Sequence, residues 1–577
     1  MASRALSRSK IRTRPSQTHL PFLWTFCPSE ESRNNNVARF DVPFVVVMLP
    51  PVNEQMETPL WTSSIALACG IWFFFILVVQ FIGFTQLYRH YSSKPAPAAS
   101  SVLQPNCVPH VTIIRPVKGL EPQLYECLAS TFQQTYPSSR LTIYLCVASV
   151  FDPSYPVLER LLADFPAIDA KIFIEQEDPN LSGYGESNNL GPNPKIRNMS
   201  RGYREAKGDL IWIIDCNVWI GKGVAGRMVD KLCGFRSNGP PARPYKLVHQ
   251  LPLVVDSVKS SVNSEDHGLL QSTEEVDVAP STSSTLQKAF QTGGGRLEEM
   301  FIALSHAKFY TAINTVSVAP CIVGKSTMFR KSHLDALTST ASPYPAGIDF
   351  FSDNICEDHL IGDLLWKKKV PGSEKENFRN HGLVFGDLAI QPMANMSISL
   401  YTARRVRWLR VRKWTVPLAT FVEPGVEPLL CSAYGAFAFS TLPYFHEHFS
   451  IPNTWASFSF IWLAIVLCWQ TLDYFCYRKL HSYASVELDI DTPSFARSPP
   501  ASEKRTFGEW ILAWWGREIL ALPIWMWAVY GGTTVAWRGK RFRVGLDMRV
   551  KEIKDRGRIN EVESGRGSRG SSKSRLD

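Results

Sequence analysis

The sequence has no CxxC pair and no regular spacing among its 12 cysteines. That excludes a disulfide framework or a cysteine zinc site and leaves reduced, mostly buried thiols as the expectation. No repeat at a period of roughly 20–50 residues is present, so a solenoid is excluded. The triple glycine at 293–295 lacks the GK[ST] ending and the preceding strand of a phosphate loop, and reads as a flexible hinge. Charge is absent from a long stretch as well: residues 58–88 contain no Asp, Glu, Lys or Arg.

That uncharged stretch, WTSSIALACGIWFFFILVVQFIGF, is long enough to cross a hydrocarbon core of ~30 Å at ~1.5 Å per residue. Residues 429–445 and 449–472 are also uncharged and predict two further spans. A fourth apolar region around Trp510 carries Arg517 and Glu518 in its middle, which predicts a broken or re-entrant helix, because an ion pair facing lipid is costly. Arg89, His90 and Lys94 follow the first span, RRVRWLRVRKW precedes the second, and WRGKRFRV follows the last. By the positive-inside rule all three flanks, the middle domain and a basic tail at 538–577 are expected on the cytosolic side, with the membrane region at 415–537. The sequons at Asn198 and Asn395 are then expected to be bare. Residues 1–57 read as a disordered extension, with a later start at Met48 or Met56 as the alternative.

Between 108 and 414 short β-branched runs alternate with helix-period runs. HVTIIRP, LTIYLCV, AKIFIEQ, LIWIID and YKLVHQLP read as strands covered on both faces, and QLYECLASTFQQT, PSYPVLERLLADF and NPKIRNMSRGYREAK as helices. The expected class is α/β with a mostly parallel sheet. Residues 256–295 turn Ser-, Thr- and acid-rich and read as a disordered surface insertion.

Ligands sit at the carboxyl ends of parallel strands, so acids there carry functional weight. Asp215 ends LIWIID and forms D-x-N with Asn217, a carboxylate and an amide oxygen able to hold a divalent cation on the phosphates of a nucleotide. Both residues are also ordinary turn formers. Asp358, after Glu357 in ICEDHLIGD, falls at a helix start, where it serves either as a cap or as a base for a hydroxyl nucleophile. RRVRWLRVRKW packs six positive charges into eleven residues. Arg404 and Arg407 share a helical face with Trp408 and suit a diphosphate, whereas Arg410, Arg412 and Lys413 suit a membrane boundary. Nucleic acid is not expected, because the run abuts a membrane helix and lacks interleaved aromatic platforms.

The order HVTIIRPVKGLEP, LCVASVFDP, GPNPKIRNMSRGY, LIWIIDCN, KLVHQLP, APCIVGKSTMFRK, ICEDHLIGD and RRVRW resembles the ceramide glucosyltransferase family, in its fungal form, over about residues 108–408. WWGREI and WRGKRFRV extend the resemblance into the membrane region. It implies a glycosyltransferase A fold with membrane helices at both ends, on the cytosolic face of the Golgi or endoplasmic reticulum, moving glucose with inversion from UDP-glucose to ceramide drawn from the lipid bilayer. It also implies Asp215 beside the nucleotide phosphates and a Mg²⁺ or Mn²⁺ ion, Asp358 as the base, and Arg404, Arg407 and Trp408 as the closing motif. Pro116, Lys118, Gly119 and Lys195 are implied along the nucleotide or sugar pocket. The pattern departs at its first acid: LCVASVFDP has Ser149 there and keeps Asp152 three residues later, so either Asp152 takes that role after a small loop shift, or nucleotide affinity is reduced, or the chain is catalytically weak. A processive polysaccharide synthase, a dolichyl-phosphate sugar transferase or a degenerate membrane scaffold would share parts of this pattern.

Overall fold

The computed structural model describes residues 59–182, 190–257, 290–339, 344–372, 377–501 and 504–553. The N-terminal extension, most of the insertion at 256–295 and the last part of the basic tail lie outside the described residues. Seven strands form the main sheet: β1 (Val111–Pro116), β2 (Leu141–Val147), β3 (Asp169–Ile174), β4 (Leu210–Ile214), β5 (Tyr245–Asp256), β6 (Ser326–Arg330) and β7 (Arg379–Met393). Their order is β3-β2-β1-β4-β6-β5-β7, parallel except that β6 runs antiparallel to β4 and β5. The expected α/β class with a mostly parallel sheet is the one observed.

β1, β2 and β4 are buried along their whole length, as their continuous apolar runs require. Alternation divides their side chains between two cores: Val111 and Ile113 point into one, Ile114 into the other. From β1 the chain moves outward through β2 and β3, then returns to place β4 on the opposite side of β1. The reversal opens a crevice at the carboxyl ends of β1 and β4. Because β6 is antiparallel, its N-terminal flank reaches that same edge: Ile214 pairs with Ser326, and the Asp215 N–H donates to the Lys325 carbonyl at 3.1 Å.

Among the described residues, two helices are long and apolar enough to cross a membrane, Leu60–His90 and Trp455–Leu480. They leave Ile71, Phe75, Phe81, Phe460 and Leu467 exposed, far more contiguous apolar surface than a water-facing helix carries. The span expected at 429–445 is replaced by a 14-residue helix, Pro428–Thr441, and a separate short one, Pro443–Phe449. Pro443 forces Leu442 into extended backbone (ψ 129°), and 14 residues reach only about 21 Å.

The break expected near Arg517 is also corrected, for Phe507–Tyr530 is one continuous helix with Pro523 inside it. Arg517 does not face lipid: its Nη2 meets Glu427 at 2.6 Å and its Nη1 meets Glu518, with all three side chains largely buried. The triple glycine is not a hinge either. Gly294 and Gly295 open the helix Gly294–Phe301, and a Cβ on Gly294 would lie 2.1 Å from the Ser397 carbonyl oxygen, so the glycine permits close packing. Finally, the basic flank WRGKRFRV is folded. Residues 534–552 form an antiparallel sheet of β8 (Thr534–Trp537), β9 (Lys540–Val544) and β10 (Val550–Glu552).

Removing Arg517 leaves two buried carboxylates uncompensated, a change that costs about 3–5 kcal/mol. Arg517→Leu is therefore expected to lower the thermal midpoint of the purified full-length protein markedly, and an unchanged midpoint would deny the ion pair its structural part.

Candidate active site

At the ends of β1 and β2 the backbone makes a small cup. Gly119 adopts φ +67°, and its N–H donates to Asp152 Oδ1 at 2.9 Å. The same oxygen accepts from the Ser154 N–H at 3.0 Å and the Ser154 hydroxyl at 2.7 Å. Asp152 is thereby fixed beside the RPVKG loop, while the Ser149 hydroxyl accepts the Phe151 N–H at 3.1 Å. Lys118 turns its ammonium to the carbonyl of Arg538, at the β8–β9 turn. Burial, then the Arg538 charge, holds Lys118 below the ordinary lysine range.

The end of β4 carries the most heavily charged cluster. Asp215 Oδ1 is 3.0 Å from the ammonium of Lys195, and Oδ2 is 3.0 Å from that of Lys325. Lys195 also meets Glu357 at 3.2 Å. Its position follows from the helix Pro194–Arg204: Asn193 caps the helix by accepting the Lys195 and Ile196 N–H groups, and its amide nitrogen donates to Glu357 Oε2 at 3.2 Å. Burial opposes charge on both partners, yet Asp215 is held well below the carboxylate range by Lys195 and Lys325. Lys195 is held above the lysine range by Asp215, Glu357 and Asp358. Burial pushes Glu357 up, Lys195 opposes that and Asp358 adds to it.

Asp358 lies in the first turn of the helix Glu357–Lys367, in contact with Gly324, where a Cβ would sit 2.5 Å from its Oδ2. It lines a small cleft with Lys195, Met199, Gly324, Thr327 and Glu357. Asp215, Lys195 and Asp358, all named from the sequence, are thus brought close together. Asn217 is not: its amide nitrogen donates to Glu121 at 3.2 Å, and its amide oxygen is buried without a partner. A divalent cation on Asp215 would face two ammonium groups already in contact with it, and among the described residues no three His, Cys, Asp or Glu side chains converge. The Mg²⁺ or Mn²⁺ expected at Asp215 and Asn217 does not fit this donor set.

The basic run forms the helix Ile398–Thr415, capped by the Ser397 hydroxyl. Arg404 pairs with buried Glu298 at 3.0 Å and lies 4.7 Å over the Trp408 ring. Arg407 makes no hydrogen bond or ion pair among the described residues; burial, then the charge of Arg404, lowers its pKa to about 10. The three cations expected at a membrane boundary have protein partners instead. Arg410 donates to the Thr534 and Gly531 carbonyls, each at 2.7 Å, and Lys413 to Val529 at 3.2 Å and Gly532 at 3.0 Å. Both satisfy orphan carbonyls at and just beyond the end of Phe507–Tyr530, where the helix dipole favours positive charge. Arg412 pairs with Glu423 at 3.2 Å.

Sequence reasoning passed over Lys325, Gly324, Glu298 and Arg538 and gave Glu357 no role. Lys325 was open to discovery in the GKST run before a strand, but only the antiparallel pairing of β6 brings it to the crevice.

The chain matches the profile of glycosyl transferase family 21 over residues 71–264 and 249–550. It is 54% identical to a ceramide glucosyltransferase of Pyricularia oryzae over 86% of this chain and 97% of that one. Against a ceramide glucosyltransferase of Gibberella zeae it is 47% identical over 87% and 96%, and against one of Candida albicans 33% over 86% and 100%. Among solved structures, a mannosyltransferase from Pyrobaculum calidifontis in complex with GDP-Man and Mn²⁺ aligns over 73% of this chain and 98% of that one, at 12% identity and a TM-score of 0.35. The chain belongs to glycosyl transferase family 21.

Proposed function

We propose that this chain transfers glucose from UDP-glucose to the primary hydroxyl of ceramide, with inversion, at the cytosolic face of a Golgi or endoplasmic reticulum membrane. The observation that carries the reading is that Asp358 shares one cleft at the strand ends with Lys195 and Glu357, and that Lys195 links this cleft to Asp215. In this reading residues 108–414 form the catalytic domain, held to the bilayer by the helix at 58–88 and by the region 415–537.

Asp152 and Lys118 lie on the nucleotide side, and Arg407 and Arg404, with Trp408 under the latter, stand towards the diphosphate. Asp358 accepts the proton of the ceramide hydroxyl. That oxygen then forms its bond to the anomeric carbon as the bond to UDP breaks on the opposite face. Negative charge accumulating on the diphosphate is met by fixed guanidinium and ammonium groups that need no reorganisation. Extracting ceramide into water would cost ~0.8 kcal/mol per CH₂, so an acceptor arriving from the bilayer explains why the apolar helices and the catalytic sheet share one buried core.

Membranes containing the protein, given UDP-glucose and a short-chain ceramide, are expected to form a single β-glucosylated lipid; polymer or no product would contradict the reading. Asp358→Asn is expected to lower turnover by ~10²–10⁴-fold while leaving UDP affinity within about a factor of two. Gly324→Ala drives a methyl group into Asp358 and is expected to reduce kcat more than it raises KM for UDP-glucose. A Gly324→Ala enzyme with wild-type kcat would show that the position of Asp358 does not matter.

A further inference from the structure

The C-terminal sheet β8–β10 has no role in the mechanism above, yet it is tied to both shores of the cleft. On one side the Arg538 carbonyl accepts the Lys118 ammonium, and Gly539 lies against the same lysine. On the other, Asn354 donates to the Met548 carbonyl at 2.9 Å, and the Val550 N–H donates to the Asp353 carbonyl at 2.7 Å. Asp353 and Asn354 immediately precede the Glu357–Asp358 turn, and the Asn354 carbonyl accepts from Asn193, the cap of the Lys195 helix. Arg410, gripping Thr534, fixes the sheet to the helix that also carries Arg407.

Arg538 occupies the tip of this sheet at the β8–β9 turn. Its backbone is left-handed, φ +50°, followed by Gly539 at +79°. Such two-residue turns favour Asn or Gly at the first position, and an arginine there gives up about 1 kcal/mol of backbone preference. Its half-buried guanidinium makes no hydrogen bond or ion pair among the described residues and only lies 5.6 Å from the Trp537 ring. Lys118 and Arg407 likewise have no carboxylate partner there, and each is close enough to Arg538 to be depressed by its charge. Asp152 and Glu175 act on Lys118, and Glu298 on Arg407, only through space; three neighbouring cations that no carboxylate contacts form a site that favours an anion.

We propose that Arg538 contacts the diphosphate of the sugar donor, so that the C-terminal sheet completes the donor site from the far end of the chain. The inference rests on the nucleotide-sugar reading of the cleft. Nothing in the strand-end acids or in RRVRW would point to it, since it depends on where β8 and β9 dock.

The test is binding of UDP and of uridine to the full-length protein in detergent, measured calorimetrically for wild type, Arg538→Gln and Arg543→Gln. Arg543 is an exposed cation on the same sheet, so its variant removes the same net charge without touching the turn. Arg538→Gln is expected to weaken UDP by about tenfold or more with uridine within about twofold, and Arg543→Gln to change neither. Unchanged UDP affinity in Arg538→Gln would overturn the contact, as would equal losses for UDP and uridine, which would mark a merely structural turn, or an equal loss in Arg543→Gln. A wild-type protein that fails to bind UDP at all would instead overturn the nucleotide-sugar reading itself.

Discussion

The ammonium of Lys195 lies between two carboxylates delivered by different parts of the chain, Asp215 at the end of β4 and Glu357 at the start of Glu357–Lys367. A buried ion costs several kcal/mol unless paired and hydrogen-bonded, so these elements are stable in this arrangement only together. Asn193 adds the geometric lock, capping the Lys195 helix while reaching Glu357 and the Asn354 carbonyl. Lys325 then balances the second oxygen of Asp215. Two ammoniums and two carboxylates cancel formally, and Asp358 stands beside them as a further acid with one face against Gly324. The two sides of the cleft, one from the end of β4 and one from the start of Glu357–Lys367, are in this way one electrostatic unit.

A second set of charges joins that unit to the apolar helices. Along Ile398–Thr415 successive cations diverge to different partners: Arg404 to Glu298, Arg405 and Arg412 to Glu423, Arg410 and Lys413 to carbonyls at the end of Phe507–Tyr530. Arg407 alone among them is left without a protein partner in the described residues, on the side from which Arg538 is felt. What resembles a basic patch in sequence is a distribution of cations around one helix, most of them structural. A bilayer-side acceptor and a water-soluble donor can meet only where such a helix borders both environments.

Much of this was legible in advance, for physical reasons. β1, β2 and β4 are covered on both faces, so their apolar runs are unbroken, and Asp215 and Asp358 stand where a strand ends and a helix begins. β6 is five residues long and antiparallel, and nothing local announces that Lys325 will arrive at the ends of parallel strands. Arg517 looked like a helix breaker because its partner Glu427 lies 90 residues earlier in the chain. The apolar run at 429–445 suggested a span because hydropathy averages over Pro443, which the backbone cannot ignore. The C-terminal sheet hid behind its composition, since alternating Arg and apolar residues in KRFRV read as charge before they read as a strand.

The measurement that bears most directly on this account is turnover and UDP affinity of full-length Lys195→Met, determined together on one preparation that retains a cooperative thermal transition. If Lys195 joins the two sides of the cleft, its loss abolishes glucosyl transfer and also weakens UDP, because Asp215 and Glu357 can no longer be held in register. Wild-type turnover with undiminished UDP affinity in that variant would contradict it.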